Sequence, residues 1–211
     1  NFRVLSLENG RLLWEHIAEE SPVVPGPIVG KLLIASAHDA GLIGFSLAEG
    51  VELWRRETDR SFEQPALALE DAILGVDGTL VCLDAATGTR RWEQRLTDPD
   101  DAFYRAFAAG KLLLADTWSG RLLALDPASG CIRWERRCGA LLGLSVGIGR
   151  VYTWAEPPTQ GEEGRLLALA LDTGEPAWEM RSRRLLQDVT AAGDAVVVEW
   201  KNRVLALAGG P

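Results

Sequence analysis

Histidine, methionine and cysteine are scarce in this chain of 211 residues, at two, one and three. The histidines, His16 and His38, have no E-x-x-H, H-x-H or cysteine partner, so no zinc site is expected. The cysteines, Cys82, Cys131 and Cys138, are odd in number and contain no C-x-x-C, which argues against a disulfide framework and a zinc knuckle alike. On one extended strand Cys131 and Cys138 would stand about 23 Å apart, beyond disulfide reach. Buried free thiols are the expectation, and unpaired thiols favour a cytoplasmic location. The acidic run Asp98, Asp100 and Asp101 lacks the spacing of a calcium loop and reads as a solvated turn. No apolar run approaches the roughly 20 residues that cross a bilayer, so no membrane span is expected. Positive charge is also in deficit: the net charge is −8. The pairs Arg90–Arg91, Arg136–Arg137 and Arg183–Arg184 sit beside carboxylates, so nucleic acid is not an expected partner.

What the chain does have is a repeat. Tryptophans recur at Trp14, Trp54, Trp92, Trp134 and Trp178, spaced by 40, 38, 42 and 44 residues, each with a glycine four positions earlier: Gly10, Gly50, Gly88, Gly130 and Gly174. A second periodic element, glycine then a charged residue then an apolar run, begins at Gly30, Gly110, Gly149 and Gly193, with Glu70-Asp71 as a degraded copy. Between these landmarks lie four short β-type runs per repeat, here called A to D. In the third repeat they are Pro65 to Leu69, Ala72 to Val76, Leu80 to Leu83 and Arg90 to Leu96. Only Asp101 to Ala109 is apolar enough for a helical turn, yet its position is that of strand A. The glycine before each tryptophan is expected to close the C–D hairpin at positive φ. The tryptophan then packs its ring on the neighbouring blade, a burial worth ~3 kcal/mol.

The segments Leu83-Asp84-Ala85-Ala86-Thr87-Gly88-Thr89-Arg90-Arg91-Trp92 and Leu125-Asp126-Pro127-Ala128-Ser129-Gly130-Cys131-Ile132-Arg133-Trp134 resemble the repeat of the PQQ-like β-propeller family, with its tryptophan-docking hairpin. The hairpins at Gly10, Gly50 and Gly174 look shortened by two turn residues. The resemblance implies an all-β propeller of four-stranded antiparallel blades in a single domain, residues 1–211. Four blades run from about Ser21 to Ser182. Phe2 to His16 supplies strands C and D of another, and Leu186 to Leu207 supplies A, B and C. Arg3-Val4-Leu5-Ser6-Leu7 and Arg203-Val204-Leu205-Ala206-Leu207 are near-copies. A five-bladed ring closed by strands from both termini, which leaves no exposed sheet edge, is therefore expected; an excerpt of a longer array would show the same doubled strand. Quinoprotein members of the family hold PQQ under adjacent cysteines. This chain has none, so no PQQ and no other cofactor is expected, and family members are often exported.

No catalytic set emerges. Gly143-Leu144-Ser145-Val146-Gly147 matches the nucleophile-elbow pattern, but it falls on strand A, and both histidines lie upstream of it. The expected function is a non-catalytic scaffold that binds a protein partner; the alternative is a carbohydrate-active or other hydrolytic propeller, which would need converging carboxylates. The A–B and C–D turns are tight and share one face. The B–C and D–A connections vary in length and share the other, so insertions and recognition belong there. That face is expected to carry Trp118, Tyr104, Phe103, Arg105, Phe62, His38 and Asp39, of which Trp118 is the first choice as an anchor.

Overall fold

A computed structural model describes residues 1–17, 22–37, 41–57, 66–157, 159, 162–183, 186, 188–193, 195–200 and 203–208. Every regular element among them is a β-strand. β1 (Phe2–Leu5) and β2 (Leu12–His16) form a two-stranded sheet. Four four-stranded sheets follow, each in chain order. The first blade holds β3 (Val23–Val29), β4 (Leu32–Ala37), β5 (Gly41–Ser46) and β6 (Glu52–Arg56). The second holds β7 (Leu67–Leu69), β8 (Ala72–Val76), β9 (Leu80–Asp84) and β10 (Arg90–Gln94). The third holds β11 (Phe103–Ala109), β12 (Leu112–Thr117), β13 (Arg121–Leu125) and β14 (Ile132–Arg137). The fourth holds β15 (Leu141–Gly147), β16 (Arg150–Ala155), β17 (Gly164–Ala170) and β18 (Pro176–Ser182). β19 (Asp188–Ala192), β20 (Ala195–Trp200) and β21 (Arg203–Ala208) close the chain as a three-stranded sheet. The two partial sheets have the C–D and A–B–C strand content read from the sequence. The segment at Asp101 to Ala109 is a strand, as its place in the repeat requires.

The chain divides into two compact units: Asn1–Leu113 with Asp126–Cys131, and Leu114–Leu125 with Ile132–Pro211. In each, the core lies between consecutive sheets. Strands B and C are buried on both faces, so they read as unbroken apolar runs, whereas strand D is mostly exposed and carries charge. In the first unit, Phe2, Leu33, Ala35, Ile43 and Phe45 fill the space beside Trp14. His16 packs there too, its ring 4.9 Å from that of Phe45 and 5.3 Å from that of Phe2. A second cluster joins Ile34 and Leu42 to Ile73, Val81 and Leu83. In the second unit, Tyr152, Trp154, Leu166 and Ala168 pack on Val189, Val196 and Val198.

Among the described residues, four of the five repeated tryptophans dock as anticipated, in one geometry. Trp14, Trp54, Trp92 and Trp134 donate their indole N–H groups to the carbonyls of Leu47, Ala85, Pro127 and Leu171, at 2.8, 3.0, 2.9 and 2.8 Å. Each acceptor lies in the C–D hairpin of the following blade, whose glycine sits under the ring. A Cβ on Gly50, Gly88, Gly130 or Gly174 would stand 2.5 or 2.6 Å from an indole atom. The glycine therefore has two reasons to be there: a φ near +70° and the absence of a side chain. Within its own blade each ring lies opposite Gly44, Cys82, Ala124 or Ala168, or Val4 for Trp14, which explains a thiol at position 82.

Three expectations are corrected. The C–D hairpins do not differ in length: in all five the glycine N–H donates to the carbonyl four residues back, from Gly10→Ser6 to Gly174→Ala170. What differs is the residue at that position. Asp84 caps its turn by accepting from the N–H groups of Ala86 and Thr87, and Asp126 does the same for Ala128 and Ser129. Ser6, Ser46 and Ala170 stand in the other three. Second, the thiols are all free but not all buried, because Cys131 lies exposed in its hairpin. Third, the A–B turns are not uniform. Between Val29 and Leu32 the turn residues are Gly30 and Lys31, with Gly30 at φ +60°. Between Gly147 and Arg150 they are Ile148 and Gly149, both at positive φ.

Candidate functional site

The connections that vary in length are held by backbone carbonyls together with a few side-chain caps. In the first unit, the B–C turn Asp77–Thr79 is capped by Asp77, which accepts from the Thr79 N–H and hydroxyl at 3.0 and 2.5 Å. The carbonyl of Gly78 accepts from the N–H of Phe103 at 3.1 Å, which pins the start of β11. Phe103 is buried there, 2% exposed, so its ring plugs the blade. The next residue faces outward: Tyr104 is 36% exposed, and the Arg105 guanidinium lies 5.1 Å from its ring centroid and 5.6 Å from that of Phe107. The structure thus brings Tyr104 and Arg105 together as a stacked pair. Phe62, His38 and Asp39 lie outside the described residues.

In the second unit, Trp118 opens the turn between β12 and β13 and is 65% exposed. The turn under it is over-determined. Gly120 donates to the Thr117 carbonyl at 3.0 Å, and the Thr117 hydroxyl accepts from the N–H of Arg121 at 3.2 Å. The Gly120 carbonyl accepts from Cys138 and Gly139 at 2.9 and 3.1 Å, tying the turn to the connection after β14. The two glycines touch so closely that a Cβ on Gly120 would collide with the Gly139 carbonyl. From β17, Arg165 donates to the Cys138 carbonyl at 2.7 Å, and the Ala140 carbonyl accepts from the N–H of Glu156 at 2.9 Å. A rigid strip therefore runs from Trp118 through Gly139 and Ala140 to Glu156. The sequence offers Trp118 as an expected anchor but not this support; the pair Gly120 and Gly139, outside the repeating glycine positions, was the available sign.

In the second blade, ion pairs tie the A–B turn, the C–D hairpin and strand D together. The carboxyl groups of Asp71, Asp84 and Glu93 are held below their ordinary range. Arg91 binds Asp71 through both guanidinium nitrogens at 2.8 Å and Asp84 at 2.7 Å, which holds Asp84 down at about 2. Glu93 is lowered by Arg95, with Arg90 alongside. Burial pushes the thiols of Cys82 and Cys138 up to about 11. Asp101 and Asp116 are buried acids, one in each compact unit. Ser145, the serine of the G-x-S-x-G segment, accepts from the N–H of Ala191 at 2.9 Å. Its flanking glycines let the chain of β19 approach: a Cβ on Gly147 would meet that of Ala191 at 2.7 Å. Packing accounts for that motif. Among the described residues no group of three or more His, Cys, Asp or Glu side chains is placed to hold a metal. No helix among them is long and apolar enough to cross a membrane.

These features define an all-β propeller of four-stranded antiparallel blades locked by tryptophan-docking hairpins. A family model described as outer membrane protein assembly factor BamB matches residues 2–178 and 76–210, and the chain belongs to that PQQ-like repeat family. Among solved structures, BamB from Moraxella catarrhalis is similar at 20% identity and a TM-score of 0.56, over 94% of this chain and 77% of that one. The computationally designed Ika8 protein is similar at 14% identity and a TM-score of 0.72, over 98% of this chain and 64% of that one. Sqt1 of Saccharomyces cerevisiae is similar at 11% identity and a TM-score of 0.68, over 95% of this chain and 61% of that one. This chain spans less than two thirds of the last two. At such identities the likeness shows the fold. No curated protein matches the sequence.

Proposed function

We propose that this chain is a non-catalytic module that binds a protein partner through the face carrying its B–C and D–A connections. The observation that carries the reading is Trp118: a large aromatic, 65% exposed, on a turn that the Gly120 N–H closes onto Thr117 and the Gly120 carbonyl ties to Cys138 and Gly139. A rigid aromatic loses little freedom on binding, which is why tryptophan and tyrosine dominate interface hot spots. Tyr104, held against Arg105, is a second anchor of the same kind. Membership in a family described as an assembly factor supports protein association over catalysis.

Trp118→Ala and Tyr104→Ala are expected to weaken partner binding by about 2 kcal/mol each with little change in melting temperature. Affinity for a partner captured from native cells, followed by calorimetry on each variant, checks this. Normal binding by both variants, with loss of binding on changing the tight-turn residues Lys31 and Lys111, would refute the choice of face.

A further inference from the structure

The hairpin between β1 and β2 is built like the four that receive a tryptophan. In it the Gly10 N–H donates to the Ser6 carbonyl at 2.8 Å, and that of Ser6 to the Arg11 carbonyl at 2.9 Å. Under Trp14, Gly50 donates to Ser46 and Ser46 to Val51 at those same distances. The two glycines lie at φ +71° and +72°. The pairing register breaks after Val4 as it does after Gly44, so Leu5 corresponds to Phe45 and Leu7 to Leu47. In the seat of Trp14, Phe45 and Leu47 form the floor beside Gly50, and the Leu47 carbonyl accepts the indole N–H. The hairpin of Gly10 offers the same parts: Leu5, Leu7 and the Leu7 carbonyl. What differs is the cover. Leu5 is 52% exposed where Phe45 is 1% exposed, and Leu7 is fully exposed. Among the described residues, a Cβ on Gly10 would meet nothing within 4 Å, whereas one on Gly50, Gly88, Gly130 or Gly174 would strike an indole.

Independently of the Trp118 face, we infer that this hairpin is a docking site for the indole of a tryptophan carried on an extended segment of a partner protein. The four covered seats define the ligand. Each takes an indole, bonded through its N–H to the carbonyl three residues before the glycine, and each indole is carried on a β-strand. A phenyl ring would lack that donor. The hairpin keeps its hydrogen bonds and its positive φ with nothing seated on it, so little ordering opposes binding. Covering Leu5 and Leu7 with an indole removes apolar surface of both partners from water.

The test titrates a fluorescein-labelled peptide with the sequence of β18, which carries Trp178, into the full chain, with anisotropy as the readout. The peptide is expected to bind saturably, and its Trp178→Ala version about tenfold more weakly. Its Trp178→Phe version, a ring without the donor, is expected to lose about threefold. On the protein, Leu7→Glu and Gly10→Ala are each expected to weaken binding about fivefold. Gly30→Ala is the control, since that glycine has a similar φ, +60°, and a Cβ there also meets nothing. It is expected to change binding less than about twofold, and Trp118→Ala likewise. Equal affinity for the peptide and its alanine version would overturn the inference, as would equal losses in Gly10→Ala and Gly30→Ala. No saturable binding at about 1 mM peptide would overturn it too. Self-association of the chain that Gly10→Ala abolishes would give the seat to a second copy and overturn its assignment to a partner. None of these failures bears on the Trp118 face, whose own test is loss of the native partner on Trp118→Ala.

Discussion

Among the described residues, two side chains occupy backbone conformations that suit glycine. Glu70 and Ile148 both lie at φ +48°, each at the first position of a two-residue A–B turn. In the first blade that position is Gly30, and left-handed backbone costs a β-branched residue such as isoleucine most. Ile148 is 71% exposed, so no packing offsets the strain. Ile148→Gly and Glu70→Gly are each expected to stabilise the fold by ~1 kcal/mol, despite the larger entropy of glycine in the unfolded chain. Urea denaturation of the two variants checks the sign, and a lower midpoint in both would contradict it. At this scale the sequence was legible where a residue type has one job. The hairpin glycines followed from their fixed offset to tryptophan. The exposure of Cys131 did not follow, because the hairpin that holds it looks the same from the sequence whether its outer side is covered or open.

At the scale of the element, the hairpin is the unit that repeats, and its two requirements can be separated. Gly30 and Gly88 have similar φ values, +60° and +69°, but a Cβ on Gly30 meets nothing within 4 Å while one on Gly88 meets the Trp54 ring at 2.6 Å. Gly30→Ala is therefore expected to cost about 1 kcal/mol through backbone strain alone. Gly88→Ala is expected to cost roughly 2 kcal/mol more, because the indole must leave its seat and its bond to the Ala85 carbonyl. Equal losses, measured by thermal denaturation, would mean that the ring contributes little. A second element-scale device is the Asp71–Arg91–Asp84 cluster, which staples the A–B turn of the second blade to its C–D hairpin. Asp84 is held at about 2, against ~4 for a free aspartate. A depressed carboxylate stabilises the fold fully above the unfolded value, and that contribution is lost as pH falls through the folded value. The melting temperature should therefore fall between pH 4 and pH 2, and Arg91→Met should flatten that fall at constant ionic strength. An unchanged slope would show the cluster to be idle. The four-strand unit was legible because apolar runs, turn residues and one tryptophan recur in step. The equal hairpin lengths were not, since a capping Asp84 or Asp126 in place of serine or alanine imitates a longer turn.

At the scale of the whole chain, the same tryptophan docking recurs between consecutive sheets within each compact unit, and the connections between strands are left free to vary. That division explains why the fold was readable and the site only partly so. Packing positions repeat and can be checked against one another, whereas Trp118, Tyr104 and Arg105 each occur once, and nothing in their neighbours announces exposure. Phe103 and Tyr104 are adjacent aromatics with opposite fates, one buried and one exposed, because the Phe103 N–H is tied to Gly78 and turns its side chain inward. Alternation along β11 was available to separate them, but its phase depends on a contact between blades. Trp118 was legible as an expected anchor, but the Gly120–Gly139 crossing beneath it was not.

Cross-linking mass spectrometry of the chain with its partner, captured in native cells, tests the central claim most directly. Cross-links are predicted to fall on the B–C and D–A connections, among them Glu156, Glu162, Glu163 and Asp188 through a carboxylate-reactive linker, and to disappear with Trp118→Ala. Cross-links confined to Lys31, Lys111 and the hairpin carboxylates Glu8, Glu49 and Asp172, unaffected by that substitution, would contradict it.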